Sequence, residues 1–349
     1  MQNDTLVRFL LELNKKQSDL FASSDLSLAR RQYRAKHSTE LVGLKCMDGR
    51  LNLSVMTQTP IGIIQPFRNL GGKFDLGWPY FGILMLEIVN YAIAHGHDVI
   101  VLVTYHFSKG DVQRGCAGFS HDREAAMAHA RRLIDQFEQV FGRAHAVVYP
   151  IQVGIETDED ALLFHGRNGE ILNVAEHDNT ATDALETALQ QLYPDMKEPM
   201  LRDLLPIVLG NQKHVREIRE INRPLTEIVH TEQILGLGRG FDWLHLLNRA
   251  LIVGPYSPDL AEPIATAGNI LLSNLNGGRI PKDEGVVLFS AAVYRDETGP
   301  ERLWAEQKAR FLSNFGKEVL HKRVPELNGM VQLLTGTVNL NTRLFTPIN

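Results

Sequence analysis

The sequence predicts an α/β fold in which a strand–loop–helix unit occurs twice. Three observations predict it. Val99-Ile-Val-Leu-Val-Thr104 is a continuous apolar run, the pattern of a parallel strand covered on both faces. Residues 122–141 then form an amphipathic helix with Ala126, Ala130, Leu133, Phe137, Val140 and Phe141 on one face, and residues 146–155 give a second strand. The same order recurs later. Val286-Val-Leu-Phe-Ser290 leads through Thr298-Gly-Pro300 into a helix with Trp304, Ala305, Phe311, Leu312 and Phe315 on one face. The second copy holds no cysteine, so it reads as a degenerate repeat. The plainer reading, that such units recur in any α/β protein, stands beside it.

The other elements follow in chain order. Residues 4–35 read as one or two helices, with Leu6, Phe9, Leu10 and Leu13 at helical spacing and Ser24 or Asp25 able to cap the second. This arm is too short for its own core and is expected to pack on the rest of the chain or on a partner. Residues 41–45 read as a short buried strand that runs into Cys46-Met-Asp-Gly-Arg50. A glycine-bearing loop follows, through Arg68-Asn-Leu-Gly-Gly72 and Gly77, and residues 81–95 are helical by period. Ser120 or Asp122 can cap the helix at 122–141. Residues 156–230 read as polar and mostly helical. The acidic run Thr157-Asp-Glu-Asp160 lacks calcium-loop spacing and reads as a solvated turn. The glycines of residues 235–248 alternate, which is no dinucleotide fingerprint.

Composition narrows the function classes. The 349 residues allow two or three domains. A formal charge of −5 gives no global pull on nucleic acid or anionic membranes. No apolar run reaches the ~18–20 residues of a membrane span, and the N-terminus does not read as a signal peptide. Two cysteines exclude a disulfide scaffold and point to a reducing, cytoplasmic compartment.

Cys46, His106 and Cys116 stand out together. Two thiolates and an imidazole are a good zinc set, and three protein donors leave a fourth position for water. Cys46 and His106 each follow a predicted strand, and open α/β sheets place ligands at such carboxyl ends. The bland readings are a buried core cysteine and a hydrogen-bonded histidine. Asp48 and Arg50 follow Cys46 at two-residue steps. An Arg beside an Asp keeps the carboxylate ionised and oriented, so that it can only accept a hydrogen bond from a water at the metal.

This Cys-x-Asp-x-Arg run with a distant His and Cys resembles the β-type carbonic anhydrases. Nine residues separate His106 from Cys116, longer than the usual His-x-x-Cys and similar to the cadmium-type enzymes of diatoms and the carboxysome shell carbonic anhydrases. Val103-Thr-Tyr-His-Phe-Ser108, Arg114-Gly-Cys-Ala117, Gly154-Ile-Glu-Thr-Asp158 and Leu237-Gly-Arg-Gly-Phe-Asp-Trp-Leu-His245 all look like segments of the shell family, in the same order.

The resemblance implies a β-carbonic-anhydrase-like sheet flanked by helices and a decayed C-terminal duplicate. The division is then a helical arm at 1–36, a zinc-binding catalytic domain at 37–248 and a repeat domain at 249–349. It implies zinc (Zn2+) on Cys46, His106 and Cys116, an Asp48–Arg50 dyad, and His245 as the candidate for a further histidine near the metal and for proton carriage. It implies reversible hydration of carbon dioxide to bicarbonate by zinc-bound hydroxide, with activity rising toward alkaline pH, in a homodimer or larger assembly. Arg68, Asn69, Gly71 and Gly72 look like the loop lining that active site. Phe67, Phe74 and Trp78 read as core or as an apolar wall for carbon dioxide, and His121 and His129 as surface or capping residues. The shell enzymes carry a longer N-terminal region, which favours cytoplasmic placement here and leaves carboxysome partners open. Three rivals remain at this level: hydrolysis of carbon disulfide or carbonyl sulfide on the same site, a non-catalytic zinc-containing assembly protein, and a Cys46–Cys116 redox switch.

Overall fold

Two helices open the chain, α1 (Thr5–Ala22) and α2 (Ser24–Lys36); Leu6 and Leu10 are buried on α1, and no residue of α2 is. The computed structural model describes residues 5–143, 146–177, 179–224, 229–244, 246 and 248–348. The chain divides into two units. One holds residues 29–46 and 51–228; the other holds residues up to 28, residues 47–50 and those from 229 on.

The first unit is built on β1 (Glu40–Cys46), α3 (Leu53–Met56), β2 (Ile64–Asn69), α4 (Pro79–Ala94), β3 (Val99–Phe107), α5 (Arg123–Phe141), β4 (Val148–Glu156), β5 (Ala161–His165), β6 (Ile171–Asn173), α6 (Thr182–Leu192) and α7 (Glu198–Ile221). Its sheet runs β2-β1-β3-β4-β5-β6. The first four strands are parallel, and β5 and β6 return antiparallel. Every residue of β3 is buried, which explains its unbroken apolar run. Asp122 caps α5 by accepting from the Ala125 N–H at 3.1 Å, and Ala126, Ala130, Leu133 and Phe137 are its buried face.

The second unit contains β7 (Ile234–Gly238), β8 (Ala250–Val253), α8 (Ala261–Asn276), β9 (Val286–Tyr294), α9 (Glu301–Arg323), β10 (Val331–Asn339) and β11 (Phe345–Pro347). The order is β11-β10-β9-β7-β8. Four strands are parallel and β11 is antiparallel. Counted by appearance, both sheets read second, first, third, fourth, fifth, with the fifth reversed. The expected duplication is therefore a property of topology, not only of local pattern. Helix α1 of the N-terminal arm belongs to this unit: Leu6 and Leu10 share a core with Trp243, Phe289 and Phe345. Asn14 ties α1 to β11 by accepting from the Phe345 N–H at 2.8 Å.

Residues 156–230 carry the expected helices, α6 and α7, but only from Thr182 on. They open with the short strands β5 and β6, whose apolar runs are too short to show a period. The run at 157–160 is a turn, but not a solvated one. Asp160 is buried and paired with Arg223 (2.7 Å) and His214 (3.0 Å). The glycine cluster at 235–248 begins as β7. Its Gly238 has φ +129°, and a Cβ there would lie 1.9 Å from the Ala291 carbonyl oxygen of β9, so only glycine lets the strands approach.

Candidate metal centre

Cys46 ends β1 and His106 is the penultimate residue of β3. These strands are parallel neighbours, so both side chains stand at one carboxyl edge. Cys116 arrives on the loop after β3, at the start of the short turn Ala117–Phe119. The three candidate ligand atoms lie within 4.8 Å of one another, and all three residues are buried. The two Sγ atoms are 3.8 Å apart. Two thiolates at ~2.3 Å from a tetrahedral ion would be separated by about 3.8 Å. Neither nitrogen of His106 has a hydrogen-bond partner. A buried polar atom without a partner costs about 1–3 kcal/mol, which a metal ion on that imidazole would relieve. Donor set and geometry fit a metal ion. Neither cysteine is in a disulfide.

The glycine-bearing loop lies against this edge. Asn69 pairs with Cys46 in the β1–β2 ladder, and its Nδ2 donates to the Lys73 carbonyl at 2.8 Å. Gly72 has φ +64°, and a Cβ there would sit 3.2 Å from the Thr104 oxygen and 3.5 Å from the Cys46 nitrogen. Arg68 turns to the Leu51 carbonyl at 2.8 Å. Phe67 and Phe74 pack on Phe81 of α4 at 5.8 and 4.9 Å, and Trp78 adjoins Phe74 at 6.5 Å, in an aromatic core. His121 reaches the Gly115 carbonyl just before Cys116, at 3.2 Å. His129 lies within α5, where its Nε2 accepts from the Phe74 N–H at 3.4 Å. Burial, with Arg132 and Lys73 nearby, lowers its pKa to about 4.

Asp48 and Arg50 belong to the second unit. Met47 and Asp48 run along β8: the Ile252 N–H donates to the Met47 oxygen at 2.7 Å, and Asp48 bridges to Leu251. The pair is buried. Arg50 gives its Nε to both carboxylate oxygens at 3.1 Å, its Nη2 to Oδ2 at 2.6 Å and its backbone N–H to Oδ1 at 2.9 Å. A carboxylate so held is an acceptor only.

His230, absent from the sequence reading, stands beside this pair. Its Nδ1 is 2.5 Å from the buried carboxylate of Glu232, and its Nε2 is 3.4 Å from Arg50 Nη2. Asn274 Nδ2 donates to the other Glu232 oxygen at 3.0 Å. An ionised carboxylate accepts, so Nδ1 carries the proton and Nε2 is left as an acceptor. The signal was the spacing: in an extended segment, positions i and i+2 share a face, as His230 and Glu232 do. His245 lies outside the described residues.

Residues 87–201 match the model of the carboxysome shell carbonic anhydrase catalytic domain. That span contains His106 and Cys116. The chain is 26% identical over 362 residues to a carboxysome shell carbonic anhydrase of Hydrogenovibrio crunogenus, covering 90% of this chain and 66% of the relative. It is 28% identical to one of Parasynechococcus marenigrum over 67% of this chain and 45% of the relative, and 25% identical to one of Prochlorococcus marinus over 67% and 51%. The chain thus spans between about half and two thirds of the length of these curated relatives. Over residues 87–201 the chain is thus similar to the carboxysome shell carbonic anhydrase catalytic domain, and over more of its length to carboxysome shell carbonic anhydrases at 25–28% identity.

Proposed function

We propose that this chain hydrates carbon dioxide reversibly to bicarbonate and a proton, with zinc held by Cys46, His106 and Cys116. The observation that carries the reading is the buried three-donor cluster, because three protein donors are the number found in catalytic zinc sites. Zinc is favoured over other ions because thiolate and imidazole suit it. Bound there, it would acidify a water and so supply a nucleophile near neutral pH.

The chain's own residues do the rest. Asp48 follows Cys46 by two residues, so their Cα atoms are at most about 7 Å apart. Its carboxylate, fixed by Arg50, accepts an O–H from the nucleophile and leaves a lone pair for carbon. Arg50 pairs with Asp48, and His230, itself held by Glu232, lies against Arg50. The released proton must reach buffer, and His230 and His245 are the candidate carriers.

From the relatives we extend association with carboxysome components to this chain, and from the family resemblance, assembly into homodimers or larger oligomers. Among the described residues no helix is long and apolar enough to cross a membrane.

Stopped-flow hydration from about pH 7 to 9, with metal assayed on the same sample, tests the reading. Fast hydration with one zinc per chain is expected. Zinc bound without hydration at any pH would sink it.

A further inference from the structure

The acidic turn after β4 is tied to the loop that brings Cys116 to the metal centre. Asp158 accepts from Ser108 Oγ, 2.9 Å from each carboxylate oxygen, and from the Gly110 N–H at 2.7 Å. Arg114 Nη2 lies 3.1 Å from its Oδ1. Ser108 Oγ in turn accepts from the Asp111 N–H at 3.0 Å and lies 3.2 Å from Arg114 Nη2. Ser108 stands two residues after His106, and Arg114 two before Cys116. One carboxylate therefore fastens both ends of the loop between two candidate ligands.

The turn is itself anchored from behind. Arg223 Nη2, at the end of α7, donates to the Thr157 and Asp158 carbonyls at 2.8 and 2.6 Å. Glu156 is fully buried and accepts the N–H groups of Lys109, Asp158 and Glu159 at 3.2, 3.0 and 3.0 Å. Glu159, by contrast, pairs its carboxylate with Arg219 at 3.0 Å, and Lys109 of the loop acts on it only as a nearby charge.

We propose that Asp158 is a positioning residue for the metal: through Ser108 and Arg114 it holds His106 and Cys116 at ligating distance before the ion arrives. Groups behind the first ligands set metal affinity, commonly by 10–100-fold. A nine-residue loop left untied would have to be ordered by the ion itself, and binding would weaken by that cost. The proposal rests on the metal reading of Cys46, His106 and Cys116, but not on carbon dioxide as substrate.

The test is metal affinity of the full chain, by chelator competition with zinc, and the thiolate-to-cobalt absorption of the cobalt form. Asp158→Asn and Ser108→Ala should each weaken affinity about 10–100-fold and alter the cobalt spectrum. Ser108→Thr, which keeps the hydroxyl, should restore both. Glu159→Gln, on the same turn, should change neither. Wild-type affinity and spectrum in Asp158→Asn and Ser108→Ala overturn the proposal, as does an equal loss in Glu159→Gln. No metal on the wild-type chain overturns the metal reading and this proposal together, and that failure shows before any variant is made.

Discussion

At the carboxyl edge of the first sheet, β1 and β3 present Cys46 and His106; the second sheet keeps the strand plan and changes the chemistry. The strands β3 and β9 have equal length, and each pairs along all of it with the next parallel strand. Set side by side, they put Val293 where His106 stands. The ladders, with Glu40 opposite Val99 and Ile234 opposite Val287, then put Arg239 in the row of Cys46. Two residues on, at the position that Asp48 holds after Cys46 in the chain, stands Phe241, packed on Phe289 at 5.1 Å. The connection that carries Cys116 occupies residues 108–122, and its counterpart only 295–300. A sheet survives duplication because many interchangeable apolar contacts hold it. A metal site depends on three side chains and one loop, and all of them differ in the copy.

Writing the second sheet's residue into the first makes the sharpest test. His106→Val should lower metal affinity by on the order of 100-fold or more, beyond the range for residues behind the ligands, and hydration should go with it. The reverse change, Val293→His, should create no second site, since Arg239 is no metal donor and the carboxylates of the short connection are engaged elsewhere, Asp296 by Thr298 and Glu297 by Tyr294 and Asn339. Metal counting on both variants decides; a second ion bound by Val293→His would break the comparison. Next in size, Asp48→Asn keeps shape and loses charge. We expect kcat to fall about 10²–10⁴-fold with zinc content unchanged. Unaltered kcat would remove Asp48 from the mechanism.

The legible parts of this molecule were those with long or repeated signals. The buried run of β3, the face of α5 and the recurrence at β9 and α9 each announce an element without tertiary knowledge, although α9 buries Ala305 and Leu312 and exposes Trp304 and Phe311 of the expected face. Cys46, His106 and Cys116 were found as a chemical set, because few other side chains combine that way. Strands β2, β5, β6, β8 and β11 were missed because a few apolar residues show no period, and β7 and β10 because glycines interrupt theirs. His230 was missed for another reason: its role comes from Glu232 and Arg50, and only folding brings Arg50 beside it. The acidic turn was misjudged because the partners that bury its charges, Arg223, His214 and Arg114, are distant in sequence.

Two glycines sharpen the comparison on the stability side. Gly238→Ala in the second sheet drives a Cβ to 1.9 Å from a backbone oxygen at φ +129°, and should cost about 3 kcal/mol or more. Gly72→Ala in the first meets backbone at 3.2 Å with φ +64°, and should cost about 1–2 kcal/mol. Urea unfolding measures both. Only Gly72→Ala should also weaken metal binding by the folded protein, since its Cβ crowds the Cys46 backbone. Equal metal affinity in the two variants would separate the glycine loop from the site.

The smallest expected effect concerns acid. Tyr105 Oη lies 2.8 Å from His165 Nε2, a bond the second sheet cannot copy, because Ala292 stands in Tyr105's place. Burial, with Arg123 and Arg131 nearby, lowers the His165 pKa to about 4. The folded state needs a neutral imidazole, whereas the unfolded chain takes up a proton near the ordinary value of ~6.5. Below that pH the unfolded state binds more protons, so stability falls as pH drops from about 6.5 toward 4. His129, also lowered to about 4, adds to the same slope. His165→Gln keeps an acceptor for Tyr105 and removes the titration. Its unfolding free energy should therefore fall less steeply over that window, by less than one proton's worth, while matching the wild-type slope above pH 7. An unchanged slope between pH 6.5 and 4 would mean that His165 is protonated in the folded protein, with the tyrosine bond broken.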